Sequence, residues 1–231
     1  MKDRIQSRFE QVMDRIATAA EACGRKPESI QLVAVSKTID VRRVQEAISA
    51  GAQILGENYV QEARQKIHTL GSHDVSWHFI GHLQSNKAKY AVRLFDLIHS
   101  VDSLKLAKEI DKQAAKTAKR QEVLIQVNIA GETTKSGVAG EETLRLVNEI
   151  GRLEHLSIRG LMTMPPYFNA PEKVRPFFVA LRNLADRIRA EQLPNVVMEE
   201  LSMGMTGDFE VAIEEGATLV RVGTAIFGER S

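Results

Sequence analysis

Residues 31–48 read QLVAVSKTIDVRRVQEAI. Leu32, Val33, Ala34 and Val35 are apolar on both faces, as in a parallel strand covered by helices, and Ser36 and Lys37 break the run. Asp40 then stands where a helix N-cap belongs, and 41–50 repeats its apolar positions at helical spacing. A buried strand followed by a capped amphipathic helix is the unit of parallel α/β sheets. It leaves a lysine at the end of a buried strand, and that ammonium must either be used or escape to water.

The same unit recurs down the chain. Apolar runs at 53–55, 77–81, 97–100, 123–128, 158–163, 196–201 and 219–222 alternate with helical patterns, one of which, 104–118, opens with Ser103 as N-cap. Gly51 and Gly71 fall where helices should stop. Together with 32–35 these make eight strands, the number that closes a (β/α)8 barrel of the TIM type. A chain of 231 residues with 43% hydrophobic content can bury one such core, so a single barrel domain over 1–231 is expected. Ile5, Phe9, Val12, Met13, Ile16 and Ala20 recur at helical spacing and predict an N-terminal lead-in helix ending at Cys23 and Gly24.

Composition narrows the function. Thirty-one Lys and Arg against 30 Asp and Glu leave a net charge of +1, so no global field draws nucleic acid or an anionic membrane. Lys105, Lys108, Lys112, Lys116 and Lys119 do form a basic stripe on one predicted helix, but Glu109 and Asp111 interrupt it, and it is read as a solvated face. Cys23 is the single cysteine and cannot form an internal disulfide, which suits a reducing compartment. No apolar run approaches the roughly 20 residues of a membrane helix, and the charged N-terminus MKDRIQSRFEQV lacks a signal-peptide core. A soluble cytoplasmic protein with a small-molecule ligand is expected. Neither GxGxxG nor GxxxxGK[ST] follows a strand, which argues against a nucleotide fold.

Barrel chemistry sits at the C-terminal strand ends, and here those ends are polar. In order they offer Ser36 and Lys37; Gly56, Glu57 and Asn58; Gly81 and His82; Ser100 and Asp102; Asn128; Met162 and Thr163; Ser202, Met203 and Gly204; and Arg221, Gly223 and Thr224. In TLVRVGTAIFG, Val220 and Val222 share one face and Leu219, Arg221 and Gly223 the other. With the valines against the helices, Arg221 points into the barrel and should meet an acceptor there. Gly223 and Thr224 then open a short helix at the place where barrels commonly bind phosphate, with the LSMGMTGD segment beside them. Ordinary glycine-containing turns are the plainer reading of the same residues.

Lys37 fits that corner. A lysine among apolar walls favours its free amine, and a free amine forms a Schiff base with a carbonyl. An amine, a phosphate corner and an inward arginine together suggest a phosphorylated aldehyde, with pyridoxal 5′-phosphate (PLP) the leading candidate. The alternative is a lysine that snorkels to solvent.

The segments AVSKT, LGENYVQEA, WHFIGHLQSNK, VNIAGETTKSG, GLMTMPP, LSMGMTGDFEVAI and VRVGTAIFGER resemble the YggS/PROSC family, the pyridoxal phosphate homeostasis proteins, from the first strand to the C-terminus. The resemblance implies the barrel of fold-type III PLP proteins, similar to the N-terminal domain of alanine racemase. It implies that Lys37 binds PLP covalently, that Arg221 faces the pyridine nitrogen, that Ser202, Gly223 and Thr224 hold the phosphate, and that Asn58 lines the pocket. His82, Met162, Met203 and Gly204, at neighbouring strand ends, complete the expected cofactor-binding set. One departure is Thr206 followed by Gly207, where the family commonly has Ser and a variable residue; a hydroxyl is kept.

Family members are thought to buffer or deliver PLP, with PLP-dependent apoenzymes as recipients, and so affect amino-acid and keto-acid balance without an established reaction. An arginine beside the pyridine nitrogen agrees, because it disfavours the ring proton that makes the cofactor a strong electron sink. Racemases of this fold use a second base, a tyrosine from an extra C-terminal domain across a dimer. Here the last strand lies close to Ser231, so a non-catalytic monomer is expected, with Tyr59, Tyr90 and Tyr167 as the tyrosines available. A PLP-dependent amino-acid racemase is the runner-up, a Schiff-base aldolase a further rival, and a metal pair at His78 and His82 lacks a nearby carboxylate or thiol.

Overall fold

The structure is a computed structural model that describes residues 4–71, 74–132 and 135–229. It opens with α1 (Arg4–Ala22), whose Ile5, Phe9, Val12 and Ile16 are buried as the spacing predicts. Then β1 (Gln31–Val35), α2 (Val41–Ser49), β2 (Ile54–Glu57), α3 (Val60–Leu70), β3 (Ser76–Phe79), α4 (Ala88–Leu94), β4 (Leu97–Val101), α5 (Leu104–Ala115) and β5 (Gln121–Asn128) alternate. A two-residue β6 (Val138–Ala139), α6 (Thr143–Ile150), β7 (Leu156–Met162), α7 (Arg175–Ala190), β8 (Val196–Met205), α8 (Phe209–Glu214), β9 (Leu219–Val222) and α9 (Thr224–Phe227) follow.

Eight parallel strands run β1-β2-β3-β4-β5-β7-β8-β9, and β9 pairs back onto β1 through Gln31 with Leu219 to Ala34 with Val222, closing the barrel. The predicted caps are in place: Asp40 accepts from Arg43 N at 3.1 Å and Ser103 Oγ from Leu106 N at 3.4 Å. Two apolar layers follow from strand alternation. Leu32, Ala34, Val220 and Val222 join the large cluster under the helices, whereas Val33, Leu97, Leu124, Met162 and Leu219 pack together inside the barrel.

Most strand boundaries shift by one or two residues from the sequence reading, and larger departures occur at β8, α5 and β6. β8 continues to Met205 because Ser202 stays paired with both Met162 and Leu219. α5 stops at Ala115, and Ala118 turns left-handed at φ 50°, which lets Lys119 Nζ reach the carbonyls of Val92 and Phe95 at 3.0 and 2.7 Å. β6 carries no strand signal of its own; it lies across the end of β5, where a Cβ on Gly137 would come within 2.7 Å of Asn128 N.

Candidate functional site

The interior layers explain the site from the floor upward. Met162, fully buried in the inner apolar cluster, belongs to this floor. One step toward the C-terminal ends, the interior turns polar. Arg221 Nη1 donates to Ser202 Oγ at 2.5 Å and Nη2 to Thr163 O at 2.8 Å, while His99 Nδ1 lies 2.9 Å from Ser202 Oγ and its Nε2 lies 3.0 Å from His78 Nδ1. Ser202 has one hydrogen and accepts from Arg221, so the chain that satisfies every group runs from Arg221 through Ser202 and His99 to His78. Burial pulls His78 down to about 4 and His99 well below its ordinary value, helped for His99 by repulsion between its proton and one on His78 and by the Arg221 charge. Both rings are therefore neutral at pH 7. Burial also lowers Arg221, to about 10, opposed by Asp208, so its guanidinium stays charged.

Above this layer lies the mouth. Val33 packs inside the barrel and β1 ends at Val35, so Ser36 and Lys37 begin the turn that leaves this strand end. Gly223 abuts Val35: a Cβ there would lie 3.3 Å from Val35 O and 3.4 Å from Val35 Cβ. Lys37 and the Gly223–Thr224 corner thus stand on neighbouring strand ends, directly over Arg221. A cavity of about 250 Å³ opens at the ends of β2, β3, β5 and β7, lined by Asn58, Ile80, Gly81, His82, Gln126 and Met164 among others. That is the low end for small-molecule sites, which start near roughly 300 Å³. The Asn58 side-chain oxygen is buried without a protein partner, an acceptor left for a ligand's donor. A larger hollow of about 590 Å³ lies at the opposite end, under α1 beside Gln31 and Gln53, away from the strand-end polar groups.

Of the predicted site residues, Asn58 and His82 line the cavity, and Lys37, Gly223 and Thr224 follow the C-terminal ends of the paired strands β1 and β9. Arg221 and Ser202 lie one layer deeper, and the Ser202 hydroxyl is fully buried and engaged by Arg221 and His99. The side chain of Met203 packs into the cluster under the helices. Gly204, at φ 90°, sits against Phe209, where a Cβ would come within 2.9 Å of its Cα, and so docks α8 onto β8. His78 is bonded to His99 and His82 stands 3.4 Å from Ser136 Oγ, so the two do not form a metal pair; among the described residues no group of His, Cys, Asp and Glu is arranged for a metal. Lys135, in the cavity wall, pairs with Glu132 at 3.1 Å; Thr133, Thr134 and the terminal Arg230 lie outside the described residues. The sequence reading missed His99, since a histidine inside an apolar run carries no local signal of the partner across the barrel.

The groups present fit PLP: a lysine and a tight glycine corner on neighbouring strand ends, an unpartnered amide oxygen and a charged guanidinium below. Comparison with known proteins agrees. Residues 8–231 match the family described as alanine racemase, N-terminal domain. The chain is 47% identical over 223 residues to a pyridoxal phosphate homeostasis protein of Aquifex aeolicus, covering 96% of this chain and 97% of that protein. PipY of Synechococcus elongatus, solved with PLP bound, superposes with a TM-score of 0.82 at 36% identity, over 94% of this chain and all of that one. An alanine racemase of Clostridium difficile shares the fold alone, with a TM-score of 0.74 at 15% identity, over 97% of this chain and 57% of that one. The chain belongs to the pyridoxal phosphate homeostasis proteins, built on the alanine racemase N-terminal domain.

Proposed function

We propose that this protein binds PLP through Lys37 and serves intracellular PLP (vitamin B6) homeostasis, holding the cofactor for PLP-dependent apoenzymes and thereby affecting amino-acid and keto-acid balance, without catalysing a reaction of its own. The observation that carries this reading is the pairing of β1 with β9, which brings the strand end followed by Lys37 next to the one followed by Gly223, with Arg221 buried below. Bound PLP supplies an aldehyde open to amines and a ring that can draw off electrons. Lys37 would supply the amine for that aldehyde. Gly223 and Thr224 take the phosphate on their first-turn amides, Asn58 and His82 border the ring side, and Ser202 fixes Arg221.

Arg221 supports a holding role. Its charge at neutral pH disfavours a proton on a ring nitrogen that it faces, and so weakens carbanion chemistry. A racemase would also need a positioned second base, and Tyr167, on the loop after β7, is 81% exposed. The protein acts as a monomeric cytoplasmic barrel on this reading; no described helix is long and apolar enough to cross a membrane.

The test is the visible spectrum of the protein and of Lys37→Ala, before and after borohydride reduction and peptide mass mapping. A yellow band in the parent alone, with a pyridoxyl mass on the Lys37 peptide, is expected. A parent that stays colourless with added PLP overturns the proposal. Deuterium exchange at the α-carbon of an amino acid would instead favour the racemase.

A further inference from the structure

We infer that Lys66, together with Glu57 and Glu62, forms a positioning cluster that holds the turn bearing Lys37 from behind; this rests on the reading that Lys37 binds PLP. Lys66 projects from α3 and is 3% exposed, yet its ammonium is fully used. Nζ donates to the Ser36 carbonyl at 2.5 Å, to Glu57 Oε1 at 2.7 Å and to Glu62 Oε1 at 2.6 Å, one acceptor for each of its hydrogens. The same carboxylates grip the chain on both sides of Lys37. Glu57 Oε1 accepts from Ser36 Oγ at 2.6 Å, and Glu62 Oε1 accepts from the Thr38 N–H at 2.5 Å.

The gripped turn is strained. Thr38 holds φ 62°, a left-handed conformation costly for a β-branched residue, and the Glu62 bond to its N–H helps to keep it there. The bonds to the Ser36 carbonyl and hydroxyl and to the Thr38 N–H fix the backbone on either side of Lys37. A buried ion cluster seldom adds stability over apolar packing of the same shape, and orienting a group is the better-attested use of one. Burial lifts the Glu57 pKa, and the Lys66 ammonium and the Ser36 hydroxyl act against that rise. Without the ammonium, two carboxylates would face each other behind the turn, and Thr38 would be free to relax.

The experiment compares the parent with Lys66→Met and, as a stability control, with Asp40→Ala, which removes the α2 cap close to the turn without touching the cluster. PLP affinity, the visible band, its pH dependence and the fraction of Lys37 trapped by borohydride are measured beside urea unfolding of each apoprotein. Lys66→Met should lose about tenfold or more in PLP affinity, the weight of one or two hydrogen bonds, and shift the pH dependence of the band. Asp40→Ala should lose stability and leave these signals unchanged. Parent-like affinity and spectrum in Lys66→Met overturn the inference, as does an equal loss in Asp40→Ala. If Lys66→Met fails to fold, Glu62→Gln, which weakens the grip on Thr38 and the bond from Lys66 while keeping the Lys66–Glu57 pair, should still lower trapping several-fold, and an unchanged Glu62→Gln then sinks the idea. Failure of the underlying reading is separate, because the parent itself would then show no label on Lys37.

Discussion

Arg221 donates to Ser202 across the inside of the barrel at 2.5 Å, and Ser202 in turn meets His99 at 2.9 Å. A charge is thus wired to two neutral imidazoles. The Arg221 charge is one of the causes that lower His99, after burial and His78. Arg221→Met should therefore raise the His99 pKa while leaving it below the ordinary value, because burial remains. Histidine ring signals followed by NMR through a pH titration report this directly, and an unmoved His99 would show that the arginine does not act on it.

The same network predicts acid sensitivity. His78 falls from 6.5 to about 4 because burial disfavours its charged form. A lowered folded-state value means that the unfolded chain binds the proton more tightly, so stability is full above pH 6.5 and drains away as pH falls toward 4. At about 1.4 kcal/mol per pH unit, His78 alone accounts for roughly 3 kcal/mol. Glu57 and Asp208, both raised by burial, act with the opposite sign and offset part of the loss. The difference between the parent and His78→Gln, in which His99 also loses its His78 partner, reads the pair: urea midpoints measured across this window should fall more steeply in the parent.

Gly81 separates packing from turn chemistry at the mouth. A Cβ there would lie 2.3 Å from the Asn58 carbonyl oxygen and 2.6 Å from its Cα, so Gly81→Ala must push the β2 end aside. Overpacking of this kind costs about 1–3 kcal/mol, and here it also moves a residue of the cavity wall. Gly207 has nothing within 4 Å of its missing Cβ. Gly81→Ala is expected to lose both stability and PLP binding and Gly207→Ala neither, as read by thermal unfolding and a cofactor titration.

Much of this architecture was legible in the residues. The run 219–222 matched β9 at both ends, Asp40 and Ser103 are caps, and Val220 and Val222 do face the helices, which puts Arg221 inside as expected. What stayed hidden depends on chain segments far apart. His99 meets Ser202 across 103 positions, and Lys66 finds the Ser36 carbonyl 30 positions back. On α3 alone Lys66 reads as a surface lysine, since periodicity reports which face a side chain occupies and not what waits there. The left-handed Thr38 was equally unreadable, because a threonine is not where such a backbone is looked for.

Lys119 closes the account of the basic stripe on α5. Its ammonium donates to the carbonyls of Val92 and Phe95, at the end of α4, and burial lowers its pKa. Lys112 is paired with Glu109 at 3.7 Å, and Lys105, Lys108 and Lys116 are exposed. The stripe therefore has one member tied to the fold and the rest turned to solvent. Lys119→Met leaves two carbonyls without their donor and should cost about 1–3 kcal/mol in urea unfolding, whereas Lys108→Met should stay within about 0.5 kcal/mol of the parent. Equal effects of the two substitutions would mean that Lys119 is as solvated as its neighbours. A steep salt-dependent affinity for nucleic acid, lost in Lys108→Met, would restore the stripe as a binding face.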